Sequence, residues 1–226
     1  MSSISSTKSV KSSPLILADP WSDPFFQAPR VLRQKPSRLP YPLSKLYYSQ
    51  LSHWKGYFRE AIDSILIAAP ELSLPISFKP FEHYFSGFDI EYYGFNNATL
   101  PSVHGCHVRK GQSIKIYYAD NCPQVRKRFS VAHEFIHVYQ GLDPHFRSAM
   151  EALPSAEVRA KLVERIAENI AAYYLVPAPL LTAAYKQEKD VQKLADKFCV
   201  SRKTMEICIQ EYRLNWGDID LDNLPF

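Results

Sequence analysis

The sequence has only four cysteines in 226 residues, Cys106, Cys122, Cys199 and Cys208, and no Cys-x-x-Cys pair among them. A chain of this length builds a core without covalent staples, so neither a disulfide framework nor a cysteine zinc ribbon is indicated, and the thiols are expected to be reduced. Long apolar runs are missing too. PLILA follows Lys8 and Lys11 but is too short for a secretory core and is soon broken by Pro20; ILIAAP stops at Pro70, and YYLVPAPLL is cut by two prolines. No membrane association is expected, and the cytoplasm is the expected location. Nor does one sign of charge dominate: 27 Lys and Arg are interspersed with 23 Asp and Glu, for a net charge of +4. That balance permits contact with nucleic acid without demanding it. There is no internal repeat.

What is present is a 46% hydrophobic chain, enough for one substantial core. Residues 1–43 hold seven of the seventeen prolines and many serines, the composition of a partly disordered tail. Its aromatics Trp21, Phe25 and Phe26 are expected to pack on the tail's own domain. From Ser44, Leu46, Tyr47, Leu51, Trp54, Phe58, Ile62, Ile65 and Leu66 recur at helical spacing, predicting a helix capped by Ser44 and limited by Pro70. ISFKPF, FDIEYYGF and SIKIYYAD are short and rich in aromatic and β-branched residues, which predicts a small, mostly antiparallel sheet. The RKGQ turn would join HGCHV to SIKIYY.

Helical spacing returns from Pro123 through HEFIHVYQ, with Gly141 as a stop. A long helix is predicted from Pro154 and Ser155 to about Leu175, followed by two short helices in DVQKLADKFCVSRKTMEICIQEY with a turn near Cys199. The expected fold is α+β, a small sheet packed on helices. The expected units are the tail 1–43, a main domain 44–185 and a helix-turn-helix-like C-terminal unit 186–226.

HEFIH, residues 133–137, places two histidines four apart, on one helix face and about 5–6 Å from each other, so His133 and His137 can reach one ion. Glu134 is turned about 100° away, beside the ion rather than toward it, where a base for an activated water belongs. Zinc held by two histidines and a carboxylate keeps a position open, and a water there becomes acidic enough to attack a carbonyl near neutral pH. The pentapeptide arises by chance in about one in a hundred chains of this composition, so it does not decide alone. Phe129, Val131, Ala132, Phe135, Ile136, Val138 and Tyr139 make its helix apolar on most sides, and enclosed histidines need partners.

A third ligand is required. Asp143 lies six residues after His137, as in the HExxHxxGxxH metalloproteases, but that pattern needs a glycine where Gln140 stands. The long helix that follows offers Glu157, Glu164 and Glu168. On a helical wheel Glu164 borders the apolar stripe among Ala160, Ala167 and Ala171, which allow close approach, whereas Glu168 lies about 40° further toward solvent. Glu164 is the better placed. His104 and His107, in the sheet region, could line a cleft, though surface positions are the expected reading; His145, Tyr139 and Tyr173 are candidate oxyanion stabilisers.

RKRFSVAHEFIH, residues 126–137, and ERIAENIAAYYLVP, residues 164–177, together resemble the paired blocks of the ImmA/IrrE family of metallopeptidases, with similarity over roughly residues 85–215. Departures fall at Ile136, Ile166 and the YLVP end, none of them a ligand position. The resemblance implies a zincin-like arrangement of the HExxH helix and a second ligand-bearing helix, with His133, His137 and Glu164 holding one Zn2+ and Glu134 as catalytic base. It implies a regulatory endopeptidase that cleaves or inactivates a helix-turn-helix transcriptional repressor in a stress or mobile-element response. Residues 1–43 are too short and proline-rich for a fused repressor, so a separately encoded partner is expected. A non-catalytic zinc-binding antirepressor and a DNA-binding regulator with a vestigial peptidase fold are the alternatives. LADKFCVSRKTMEI could present Lys193, Lys197, Arg202 and Lys203 to phosphates, but Asp190, Asp196 and Glu206 dilute them, and packing against the main domain or docking of the protein substrate is the expected role.

Overall fold

Trp54, Phe58, Ile62, Ile65 and Leu66 recur at helical spacing and form the buried stripe of α1 (Leu43–Ile67), which lies along α5 (Ala156–Leu175). In the computed structural model the described residues are 43–69, 72–98 and 102–214. The proline- and serine-rich tail, apart from Leu43, and its three aromatics fall outside them. Among the described residues the fold is α+β, with eight helices and one three-stranded sheet.

The sheet comprises β1 (Asp89–Phe95), β2 (Gly105–Lys110) and β3 (Ser113–Ala119) in the order β1-β3-β2. β2 and β3 form the expected antiparallel hairpin, with Lys110 opposite Ser113 and Gly111 in the turn at φ +59°, a backbone state glycine adopts without strain. β1 pairs with β3 in parallel, from Asp89 opposite Ser113 to Phe95 opposite Ala119. The sheet is thus mixed rather than mostly antiparallel, because the chain leaving β1 crosses past β3 before β2 begins. Central β3 buries Ile114 and Ile116 completely, toward α3 (Gln124–Leu142).

The expected strand ISFKPF is not a strand. Lys79–Tyr84 forms α2, with Pro80 in its first turn, where a missing N–H costs nothing. Aromatic packing overrides β-propensity here: Phe78 and Phe81 stack on Phe135 of α3 at centroid distances of 5.8 and 4.8 Å, and Phe81 meets Tyr174 of α5 at 4.2 Å. Arg128 donates to the Ile76 carbonyl at 2.7 Å and Tyr174 to the Ser77 carbonyl at 2.6 Å, holding this segment against both long helices.

α3 runs one residue past Gly141 and ends at Asp143, whose Oδ1 accepts from the Phe146 N–H at 2.9 Å and caps α4 (Pro144–Glu151). Ser155 caps α5 in the same way, at 3.3 Å. α6 (Ala178–Gln187) also starts with a proline in its first turn, so prolines that interrupt apolar runs here begin helices. α7 (Val191–Phe198) and α8 (Arg202–Glu211) are joined at Cys199, which takes the left-handed conformation that glycine usually supplies. No helix among the described residues is long and apolar enough to cross a membrane.

Candidate metal centre

α3 and α5 pack along one another, and small side chains set how closely: Ala132 on α3 and Ala167 and Ala171 on α5 are all fully buried. This contact brings together three side chains remote in sequence. The ligand atoms of His133, His137 and Glu164 all lie within 4.8 Å of one another. The two histidine Nε2 atoms are 2.9 Å apart, and Glu164 oxygens reach within 3.5 Å of His133 Nε2 and 3.4 Å of His137 Nε2. The Glu164 side chain is half exposed at the surface; partial desolvation against the neighbouring helix would raise its pKa, but hydrogen bonding and charge interaction with the two histidines outweigh that and hold its carboxyl well below the usual carboxylate range.

The other glutamates of α5 are engaged elsewhere. Glu157 pairs with Lys161 at 2.5 Å and Glu168 with Arg165 at 3.0 Å, both on the solvent face. Asp143 is also committed, since its second carboxylate oxygen accepts from the Tyr57 hydroxyl at 2.6 Å. The donor set left at the centre is two imidazole nitrogens and one carboxylate oxygen. That combination suits a borderline ion such as zinc, with at least one further position for a water or substrate.

Glu134, next to His133, is buried to 1% exposure beneath the sheet. Its Oε2 accepts a 2.9 Å hydrogen bond from Nδ1 of His107 on β2. His107 therefore lines the candidate site, the alternative to the surface position expected of it. Gly105, two residues earlier on the same strand, admits the carboxylate: a Cβ there would stand 3.2 Å from Glu134 Oε1 and 3.2 Å from the Tyr117 carbonyl. The strand and α3 thus grip the glutamate between them. The sequence signal was the two-residue alternation of Gly105 and His107, which puts both on one face, but it does not say what that face meets.

The candidate oxyanion stabilisers have other contacts or face solvent. Tyr173 donates to Asp63 at 2.7 Å, Tyr139 packs edge-on to Phe58 at 5.4 Å, and His145 is exposed on α4. His104 sits beside the Asn97 amide at 3.4 Å. All four cysteines are free thiols.

A comparison with curated proteins gives no match. Among solved structures, a Mycobacterium tuberculosis transcriptional regulator has a similar fold, with a TM-score of 0.54 at 15% identity over 74% of this chain and 50% of that one. This chain spans about half of that structure's length. The model of the IrrE N-terminal-like domain, Peptidase_M78, matches residues 95–209, just over half of the chain, from the end of β1 through α3 and α5 to α8. With both helices inside the matched span, the chain belongs to the IrrE N-terminal-like, Peptidase_M78 family.

Proposed function

We propose that the protein is a zinc-dependent endopeptidase of regulatory type, acting in the cytoplasm on a separately encoded helix-turn-helix transcriptional repressor. The observation that carries this reading is the convergence of His133, His137 and Glu164 beside a buried glutamate held by a second element. His133, His137 and Glu164 would hold one zinc ion, which supplies a Lewis acid for a carbonyl and acidifies water at neutral pH. Glu134 acts as general base: one carboxylate oxygen takes a proton from the attacking water, and the same group returns it to the departing amine. The His107 N–H holds the other oxygen and so orients the carboxylate. Family membership supports the reaction class, and the transcriptional-regulator fold supports a regulatory setting.

We assign the peptidase to residues 44–185 in a zincin-like arrangement, and docking of the protein substrate to the helix-turn-helix-like unit at 186–226. A protein partner is favoured over DNA because two of that unit's cations are already neutralised, Lys193 by Glu188 at 3.1 Å and Arg202 by Glu206 at 2.9 Å. Phosphate binding scales with the number of cations free to displace counterions.

The test is to incubate the zinc-loaded protein with any helix-turn-helix repressor found encoded beside it, in parallel with Glu134→Gln. Wild type should cut the repressor at one site, and the variant should retain zinc while cleaving about 10²–10⁴-fold more slowly. Equal relief of repressor binding by both proteins, without cleavage, would replace the peptidase reading with the antirepressor one.

A further inference from the structure

Gln140 occupies the place where related zinc-binding helices that turn sharply after their second histidine would need glycine, and its side chain is completely buried. Leaving a buried amide unmatched costs about 1–3 kcal/mol per group, so its partners are informative. Both ends are matched. Nε2 lies 3.1 Å from the Val163 carbonyl, and Oε1 lies 2.9 Å from His137 Nδ1. A backbone carbonyl can only accept, so the amide nitrogen faces α5 and the amide oxygen faces the imidazole. An amide oxygen also only accepts, so His137 must carry its proton on Nδ1. In the neutral imidazole that makes His137 Nε2, 2.9 Å from His133 Nε2 and 3.4 Å from Glu164, the nitrogen without a proton.

We propose that Gln140 is a positioning residue for the metal centre. It fixes the tautomer and ring orientation of His137, and it ties that ligand to the backbone of the residue immediately before Glu164. The inference rests on the metal reading of the site. One buried amide thus sets two of the three ligands against each other across the α3–α5 contact. The neighbouring ligand offers an internal contrast: His133 Nδ1 is buried with no hydrogen-bond partner among the described residues. His137 is pre-set for binding through Nε2, and His133 has no matching hydrogen bond to fix its ring.

The experiment is a zinc titration of the purified full chain against a competing chromophoric chelator, with circular dichroism as a folding check. Gln140→Leu removes both hydrogen bonds at similar volume; Gln140→Glu keeps an acceptor for the His137 N–H and puts a carboxyl oxygen where the donor to Val163 stood. Gln140→Leu should bind zinc about 10–100-fold more weakly, while Gln140→Glu stays within about threefold of wild type. Wild-type affinity in Gln140→Leu, or equal losses in both variants, would overturn the proposal and leave Gln140 a packing residue. Should Gln140→Leu fail to fold, long-range 15N–1H spectra of histidine-labelled wild type decide instead: His137 protonated at Nδ1 is expected, and protonation at Nε2 overturns it. If His137→Ala binds zinc as wild type does, the metal reading itself fails and the inference falls with it. The first two failures leave that reading intact, so they are distinguishable from the third.

Discussion

The helix wall of the site carries His133, His137 and Glu164 at positions set by the helical repeat, whereas the strand wall facing it carries Gly105 and His107 at positions set by pairing and by contact across 27 residues of chain. On the helices the spacing of four and the small-residue stripe are local properties, readable without knowing what the helix meets. On the strand, alternation tells only that Gly105 and His107 share a face. Which face is buried, and against what, depends on β2 becoming the edge of a mixed sheet laid over α3. On the proposed reading, the helix wall would supply the donors for an ion, and the strand wall the orientation of the acid–base group.

That division can be broken by experiment. The largest effect is expected on the helix wall: His137→Ala should abolish stoichiometric zinc binding, measured by metal analysis after gel filtration, and with it all cleavage. Substituting the strand wall should not. His107→Ala is expected to keep zinc and lower kcat about 10–100-fold with little change in KM, and His107→Asn, whose amide can replace Nδ1–H, should recover most of that loss. Loss of zinc in His107→Ala would erase the distinction between the two walls.

A smaller effect is expected from Gly105→Ala, where the new methyl must displace Glu134 or the Tyr117 carbonyl by a few tenths of an ångström. Turnover should fall by less than in His107→Ala, about 3–10-fold, with unchanged zinc content. The smallest effect lies away from both walls, where Glu211 of α8 is bound by Lys55 and Arg59 of α1. Burial alone would raise the Glu211 pKa, but the hydrogen bond from Lys55 and the charges of Arg59 and Lys55 outweigh it and hold the pKa below its ordinary value. A depressed carboxylate pKa contributes stability that is present above the unfolded pKa, near 4.3, and lost as pH falls through the folded value. Glu211→Gln should thus cost about 1 kcal/mol at neutral pH, and the difference from wild type should shrink below about pH 4 in urea unfolding, with zinc binding and turnover untouched.

The same contrast explains what was legible in the sequence. The wheel position of Glu164, bordering Ala160, Ala167 and Ala171, separated it from Glu157 and Glu168, which the structure pairs with Lys161 and Arg165 on the solvent side. The start of α5 near Ser155 and the turn at Cys199 were readable because turns and helix starts are local chemistry, whereas Ser44, expected as a cap, lies inside α1. ISFKPF misled because Phe78 and Phe81 belong to an aromatic stack with Phe135 and Tyr174, a tertiary reason invisible to β-propensity. The parallel pairing of β1 and the role of His107 were hidden for a related reason: both depend on where a strand lands, not on its composition. Gln140 stood out only as a mismatch to a glycine pattern, and its bond to Val163 becomes visible once α5 lies beside α3.

The central claim, that α3 and α5 share one ion through His133, His137 and Glu164, is tested most directly by native mass spectrometry of zinc-loaded wild type and Glu164→Gln. One zinc per wild-type chain and none retained by the variant is the predicted result; equal zinc in both proteins would contradict it.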